Sequence, residues 1–354
     1  MSRLAPASGR PPSGALSRGG AAGRRAAGIV LGVALVLVLL VCSVCIGSRT
    51  FSPVEAWQAV TAFSGSDADI VMRDVRIPRS LVALLAGAGI SVAGCVIQAA
   101  TRNPLGDPGI LGVNAGAGIA VAVAVGVFGV SEAKGYIWFA FAGALLVSAA
   151  VYLLSAVQGR GGQTSHALGL TLAGVAIAAV LSGSTLAMTR IWPDAFDQMR
   201  NWESGSLSGR DLDTVAAIAP AIAAGVLVAL FLSRRLDAIA LGDHIAVSMG
   251  IDPGRVRLLS WTSVSVLSGA SVAAAGPIGF IGLIVPHAVR RFTGPHEAWL
   301  IPCSALYGAS LMLAADIVGR TVIAPSEIPV GVITAVLGGT GLALIAYRGS
   351  VAAR

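Results

Sequence analysis

The strongest constraint on this chain is its series of apolar runs, each long enough to cross the hydrocarbon core of a bilayer. Nine runs predict membrane-spanning helices, near residues 28–46, 79–100, 109–128, 136–157, 167–189, 212–233, 257–275, 300–318 and 330–347. A tenth, 276–292, is short and interrupted by glycine and proline, which is tolerated where a span is buried in protein or lines a cavity. We therefore predict an all-α polytopic membrane protein of about ten transmembrane helices, with both termini on the cytoplasmic side.

The composition excludes a soluble globular protein, because 55% of the 354 residues are hydrophobic and only 12% are charged. The net charge of +7 does not indicate nucleic-acid binding, since the arginines are spread over the loops between apolar runs. All four cysteines lie within apolar runs, so we interpret them as packing residues and predict no metal site. These cysteines are Cys42, Cys45, Cys95 and Cys303.

The N-terminal segment, residues 1–27, is rich in Arg, Pro, Gly and Ser, which predicts a disordered cytoplasmic tail. The apolar run that follows has no A-x-A-like cleavage site of the kind that ends a signal peptide, so we interpret it as an uncleaved first span. The predicted transmembrane domain is 28–348.

A weak internal repeat divides this domain. At an offset of 182 residues, LAGAGISVAG (85–94) matches LSGASVAAAG (267–276) at five of ten positions. With five spans on each side, the match predicts two five-helix halves of inverted topology, 28–210 and 211–348.

A polar insert, 234–257, separates two blocks of spans. Its segment LDAIALGDHIAVSMG (236–250) has glycine after each of two short amphipathic stretches, which predicts two short helices with a bend between them. Four flanking arginines predict a cytoplasmic position: Arg234, Arg235, Arg255 and Arg257. An ordinary solvated loop is the alternative interpretation.

Several motifs between Arg76 and Tyr347 closely resemble one family. They are RIPR (76–79), QAATRNPLGDPGILG (98–112), the insert segment, GPIGFIGLIVPHAVRR (276–291) and ADIVGR (315–320). Together they resemble the permease subunits of ATP-binding-cassette (ABC) importers for ferric siderophores, haem and cobalamin, the FecCD type. The resemblance implies the type II ABC importer permease fold.

The resemblance also implies roles for particular residues. Contact with the ATP-hydrolysing subunit is expected for Leu241, Gly242, Asp243, Ala246, Met249 and Gly250. An inner-face position is expected for Asn103, Pro104, Leu105, Pro286, His287 and Arg290. Docking of a binding protein is expected at Arg76, Arg79 and Arg320, and weak candidates for the transport pathway are Thr171, Ser182, Ser184 and Thr334.

Simpler roles are open for some of these residues. The outer arginines could anchor the helices at the membrane rim. His287 could be a cation at a helix C-terminus. Asp316 stands four residues before Arg320, a spacing that favours a structural ion pair.

The sequence excludes ATP hydrolysis by this chain alone. Its single lysine, Lys134, is not preceded by the glycine-rich sequence G-x-x-x-x-G that a phosphate-binding loop requires. We expect a non-catalytic transport subunit with no cofactor of its own, ATP and Mg being bound by the partner. The resemblance implies a homodimer, or alternatively a heterodimer, two ATP-binding subunits and an extracytoplasmic substrate-binding protein in a bacterial cytoplasmic membrane.

The expected function is import of a ferric siderophore by alternating access, with haem or cobalamin as alternative cargo. A proton- or sodium-driven secondary transporter would need ionisable residues near the middle of the spans, and these are scarce. An intramembrane hydrolase would need a Ser/His or paired-Asp arrangement within the spans, and none is evident in the sequence.

Overall fold

The computed structural model describes residues 15–47, 49–130, 132–158 and 163–352, which form helices joined by short turns, with no strand among these residues. The helices are α1 (Ala15–Cys45), α2 (Pro53–Thr61), α3 (Asp67–Ile70), α4 (Ile77–Thr101), α5 (Val113–Gly126), α6 (Ala133–Gln158), α7 (Gln163–Ile191), α8 (Pro193–Glu203), α9 (Leu212–Leu241), α10 (Asp243–Ser248), α11 (Pro253–Ala275), α12 (Ile281–Thr293), α13 (Glu297–Thr321) and α14 (Val330–Ala352). A π-helical turn, Val71–Arg76, joins α3 to α4, and a 3-10 turn, Pro108–Leu111, precedes α5.

The predicted fold class is confirmed. Ten of the helices correspond to the ten predicted spans: α1, α4, α5, α6, α7, α9, α11, α12, α13 and α14. Seven apolar segments in the described residues are long enough to cross a membrane, and two more, Val113–Gly126 and Val330–Ala343, are shorter. The broken span is α12, which begins only at Ile281 because Gly276 and Phe280 both have positive φ and interrupt the helix after α11.

The predicted disordered tail is wrong over residues 15–27, which form the beginning of α1. This stretch contains several alanines and arginines, both good helix formers, and it extends a helix already stabilised by the apolar run after it. Residues 1–14 of the predicted tail lie outside the described residues.

Helix α4 lies at the centre of the molecule. Most of its residues are buried, and it packs against α9, α11, α12 and α13, which all belong to the predicted second half. Glycines permit this close approach. A β-carbon at Gly94 would lie 1.8 Å from the Gly282 carbonyl oxygen, and one at Gly87 would lie 2.5 Å from the Gly308 carbonyl oxygen. In lipid the hydrophobic effect does not drive helices together, so close backbone packing of this kind stabilises the contacts between spans.

The proline in α12 is compensated from α4. Pro286 has no N–H, so the carbonyl of Gly282, four residues earlier, loses its helical donor. The Gln98 side chain donates from Nε2 to that carbonyl oxygen at 3.1 Å. Inside a membrane an unpaired carbonyl is costly, and Gln98 therefore fixes α12 against α4.

We predict that Gly94→Val destabilises the protein by at least the roughly 1–3 kcal/mol typical of an overpacked core, because α4 and α12 must separate. Thermal unfolding in detergent measures the effect. Gly183→Val on α7 is the matched control, since a β-carbon there meets no atom within 4 Å. Equal unfolding temperatures for the two variants would contradict the close contact.

Candidate functional site

The polar insert forms a sharp corner at one end of the bundle, which we call the insert face. Helix α9 runs without interruption to Leu241, the chain turns at Gly242 with φ of 130°, and α10 follows. A second turn at Gly250, with φ of 76°, leads to α11. The predicted bend is confirmed, but the first predicted short helix is wrong. It is the end of α9, because nothing in the sequence before Leu241 stops that helix.

A cluster of charged side chains holds α10 in position. Asp243 pairs with Arg257 of α11 at 2.9 Å and with Arg102 at 2.5 Å. Arg102 ends α4 in a left-handed conformation, and its Nε also donates to the carbonyl of Ile239 at 2.8 Å. Burial alone would raise the pKa of the Asp243 carboxyl, but Arg257 and Arg102 together hold that pKa below its usual range. The insert is therefore attached to α4, α9 and α11 at once.

The insert has both buried residues, which pack against the helix bundle, and exposed apolar side chains. Ala246 and Ile239 are fully buried, and Gly242 and Gly250 form the turns. The exposed apolar side chains of this insert patch, with their exposed fractions, are Leu241 (67%), Ile245 (45%), Val247 (60%) and Met249 (61%). Such a patch on an ordered element is typical of a protein-binding surface.

The loop after α4 lies beside the insert. The Asn103 side chain accepts a hydrogen bond from the Leu105 backbone N–H at 3.0 Å, which fixes the turn that contains Pro104. Leu105 is 60% exposed, and Arg102 links this loop to Asp243. The structure thus brings the predicted inner-face loop and the predicted coupling insert together.

The second inner-face motif lies on α12. Arg290 is in the last turn of α12, but His287 is near its middle, so the interpretation of His287 as a C-terminal cation is wrong. The helix continues six residues beyond His287 because Pro286 does not stop it. Pro286 is buried, and the Gly282 carbonyl that it leaves without a helical donor accepts from Gln98 of α4. The half-buried Arg290 lies 3.6 Å from Glu297 of α13.

A buried cluster around Glu297 escaped the sequence analysis. Glu297 accepts a hydrogen bond from the Cys95 thiol at 2.9 Å and lies 3.6 Å from the Arg290 guanidinium. Its backbone N–H donates to Asp237 at 2.9 Å. The sequence marks Glu297 only as an acidic residue near the start of a helix, because two of its three partners, Cys95 and Asp237, lie far away in the chain.

A second cluster of charges lies at the opposite end of α4, which we call the arginine face. Asp316 pairs with Arg79 at 2.9 Å and with Arg320 at 3.0 Å, and Arg79 also pairs with Glu327 at 2.8 Å. The predicted Asp316–Arg320 ion pair is confirmed. Arg320 also donates to the Ser43 carbonyl and hydroxyl of α1, so these bonds join α1, α4 and α13.

The structure does not place the three predicted docking arginines on an open surface. Arg76, Arg79 and Arg320 are each no more than 7% exposed. Arg76 donates to the backbone carbonyls of Val44 and Arg49, and its guanidinium lies over the Phe51 ring. The docking role of these three arginines stays a prediction, and each guanidinium is bonded within its own chain. The sequence could not reveal this, since Glu327 and Ser43 lie far away in the chain.

The predicted pathway residues fall into two groups. Thr171, Ser182 and Ser184 are exposed on α7. Thr334 is 2% exposed and donates its hydroxyl hydrogen to the Gly331 carbonyl. The assignment of all four residues to the pathway stays a prediction.

This architecture defines a class: a multi-pass helical membrane protein that carries an ordered insert with an exposed apolar patch at one end. Comparison with known proteins then gives the family. The chain belongs to the FecCD transport family, whose model matches residues 35–348. The resemblance drawn from the motifs is confirmed.

Individual relatives match almost end to end. The ferric enterobactin transport system permease protein FepD of Escherichia coli (strain K12) is 42% identical, covering 89% of this chain and 93% of FepD. The Fe(3+)-citrate import system permease protein YfmD of Bacillus subtilis (strain 168) is 37% identical, covering 86% and 89%. The hemin transport system permease protein HmuU of Yersinia pestis is 34% identical, covering 88% and 93%.

Two solved structures share the fold. A metal-chelate type ABC transporter in an inward-facing conformation has a TM-score of 0.79 at 27% identity, and the match covers 90% of this chain and 98% of that chain. PsaBC from Streptococcus pneumoniae, solved with a Fab, has a TM-score of 0.55 at 12% identity, which indicates the fold alone.

We predict that Asp316→Asn destabilises the protein by about 3 kcal/mol, because it leaves two buried guanidiniums without their shared carboxylate. Chemical unfolding in detergent measures the change. Asp197→Asn on α8 is the control, since Asp197 is exposed and its pair with Arg200 spans 3.8 Å. A loss no greater than that of the control would contradict the structural role.

We predict that Arg102→Met loosens α10, because the loop after α4 is then no longer bonded to Asp243 or Ile239. Hydrogen–deuterium exchange of residues 243–248 should become faster, while exchange in α6 stays unchanged. Lowering the pH should also make hydrogen–deuterium exchange of residues 243–248 faster. The lowered pKa of Asp243 means that its pairing is complete at neutral pH and is lost as the pH falls through the folded-state pKa. Unchanged exchange in the variant would contradict this role.

Proposed function

We propose that this chain is the permease of an ATP-driven importer of iron complexes, most directly a ferric siderophore, and that it works by alternating access. The observation that carries the proposal is the insert patch. Four apolar side chains project from α10 and its flanks, while Arg102 and Arg257 hold the element firmly through Asp243. Because the insert patch is bonded to α4, α9 and α11, a movement of a bound partner can be transmitted to these transmembrane helices.

The partner at the insert face is a separate ATP-hydrolysing subunit. Arg234, Arg235, Arg255 and Arg257 flank the insert, and the positive-inside rule favours a cytoplasmic position for them. Both termini then lie in the cytoplasm. The binding protein docks at the arginine face, outside the cell membrane. Its contacts fall on exposed groups there, because Arg76, Arg79 and Arg320 are occupied internally.

A second copy of the chain completes the pathway, with one ATP-hydrolysing subunit for each copy. Helix α7 is among the least buried spans, yet it carries hydroxyls on its exposed side at Thr171, Ser182 and Ser184. Gly183 lies between two of these residues with no neighbour near its β-position. Hydroxyls and glycine on an exposed helix side suit a close helix contact or a water-lined path better than lipid.

The relatives support this cargo class, since by their names they transport ferric enterobactin, ferric citrate or hemin. We favour a ferric siderophore because FepD is the relative with the highest identity of these three. Haem and cobalamin are the alternatives. Uptake of radiolabelled ferric chelates into vesicles holding the complete importer separates these cargoes.

The energy source is tested with the same vesicles. We predict that vanadate abolishes uptake and that collapsing the proton gradient leaves it intact. A secondary transporter gives the opposite pattern, so loss of uptake with the proton gradient alone would overturn the proposal.

We predict that Ile245→Asp combined with Val247→Asp prevents assembly with the ATP-hydrolysing subunit, because it puts two charges into an apolar contact. Co-purification and ATP-driven uptake should both be lost, while the unfolding temperature of the permease stays unchanged. Ser248→Ala, in the same helix, is the control. Normal co-purification of the double variant would contradict the role of the insert patch.

We predict that Gly242→Val uncouples hydrolysis from uptake, because a β-branched residue strains the positive φ of this turn and moves α10. Binding-protein-stimulated ATP hydrolysis should persist while uptake falls about tenfold or more. Gly23→Val in α1 serves as the control for a helical glycine without positive φ, since a β-carbon there meets no atom within 4 Å. Uptake at the unmodified level in the Gly242 variant would contradict the coupling role.

A further inference from the structure

A cleft of about 590 Å³ lies on the arginine face. Its walls come from the end of α8, the loop before α9 and the segment that leads into α14, with Arg79 and Tyr136 at its sides. This volume is within the range of small-molecule sites.

Arg210 lines this cleft with a buried and largely unsatisfied charge. The residue is 6% exposed, and its one hydrogen bond runs from Nη1 to the Tyr136 hydroxyl at 3.3 Å. Its Nε has no acceptor among the described residues. A guanidinium carries five N–H donors, and a buried cation without a partner is costly. Arg210 is therefore arranged for an acceptor that its own chain does not supply.

The carboxylate next to Arg210 in sequence is already occupied. One oxygen of Asp211 accepts from the backbone N–H of Thr214 at 2.8 Å and caps α9. The other oxygen pairs with Lys134 at 3.0 Å. Glu327, which also lines the cleft, pairs with Arg79 at 2.8 Å. Arg210 thus forms no salt bridge with either of these carboxylates, whose pairs are with Lys134 and Arg79.

Trp202 supplies a second donor in the same cleft. It is 3% exposed, and its indole Nε1 has no acceptor among the described residues. A cation and a neutral N–H that line one cleft suit the oxyanion groups of a ligand, which accept charge-assisted hydrogen bonds.

We propose that this cleft binds an oxyanion group, carboxylate or catecholate, of an iron(III) chelate, with Arg210 and Trp202 as donors. The inference rests on the proposed function and narrows the cargo to anionic chelates. The permease then takes part in substrate selection on the arginine face, before the cargo reaches the spans.

Binding to the purified permease, in lipid nanodiscs without its partners, tests the inference. The probes are ⁵⁵Fe-labelled ferric citrate, an anionic ferric tricatecholate and a neutral ferric trihydroxamate. We expect at least one anionic chelate to bind and the neutral one to bind about tenfold or more weakly. Arg210→Met should weaken binding of the anionic chelate about tenfold or more, which corresponds to one lost charge-assisted hydrogen bond.

Three further variants make the test specific. Arg210→Lys should keep part of the affinity, and Trp202→Phe should lower it a few-fold while keeping the ring, so a folding defect in Arg210→Met alone does not decide the result. Arg200→Met is the control, because Arg200 lies on α8 near Trp202, is exposed, and pairs with Asp197 rather than lining the cleft.

Three results would overturn the inference: no chelate binds the permease alone, the neutral chelate binds as tightly as the anionic ones, or affinity is unchanged in the Arg210 and Trp202 variants. If no chelate binds, the partner of Arg210 is instead an acidic group on a docked protein. ATP-driven uptake by the complete importer is measured alongside. If uptake of iron chelates persists while cleft binding fails, the proposed function stands without this inference.

Discussion

The backbone contact between α4 and the helices of the second half is the interaction on which the rest of the structure depends. Gly87 and Gly94 allow carbonyl groups of α12 and α13 to approach where a side chain would stand. Gln98 then satisfies the carbonyl that Pro286 leaves without a donor. In lipid, where apolar surfaces gain little by meeting one another, these contacts make α4 a rigid member of both halves.

Both candidate sites lie at the ends of this one helix. At its beginning Arg79 joins Asp316 and Glu327, and at its end Arg102 joins Asp243. A displacement of α10 therefore acts on α4 directly, through bonded groups and not through a flexible loop. This arrangement gives a physical route by which a partner at the insert face could affect the arginine face, as alternating access requires.

The sequence predicted the spans well, because length and hydropathy are local properties. It located the broken span through its glycines and prolines, and it located the turn at Gly242. It failed where the outcome depends on residues far apart in the chain. The arginine face is the main case, since the partners of Arg76 and Arg79 lie at distant positions, and so does Ser43, the second partner of Arg320. The interpretation of these arginines as docking groups came from motif resemblance, which gave no sign of their burial. Arg102 and Glu297 escaped notice for the same reason, as each gains its role only from long-range partners.

The central claim is that force from a nucleotide-driven partner enters through α10. The most direct measurement is the distance between spin labels at Ser248→Cys in the two permease copies of the complete importer, with the four native cysteines replaced. ATP with vanadate should shift this distance by several ångströms relative to the nucleotide-free complex, and the permease without its ATP-hydrolysing partner should give no shift. An importer that transports iron chelate while the α10 distance stays the same in both states would contradict the account.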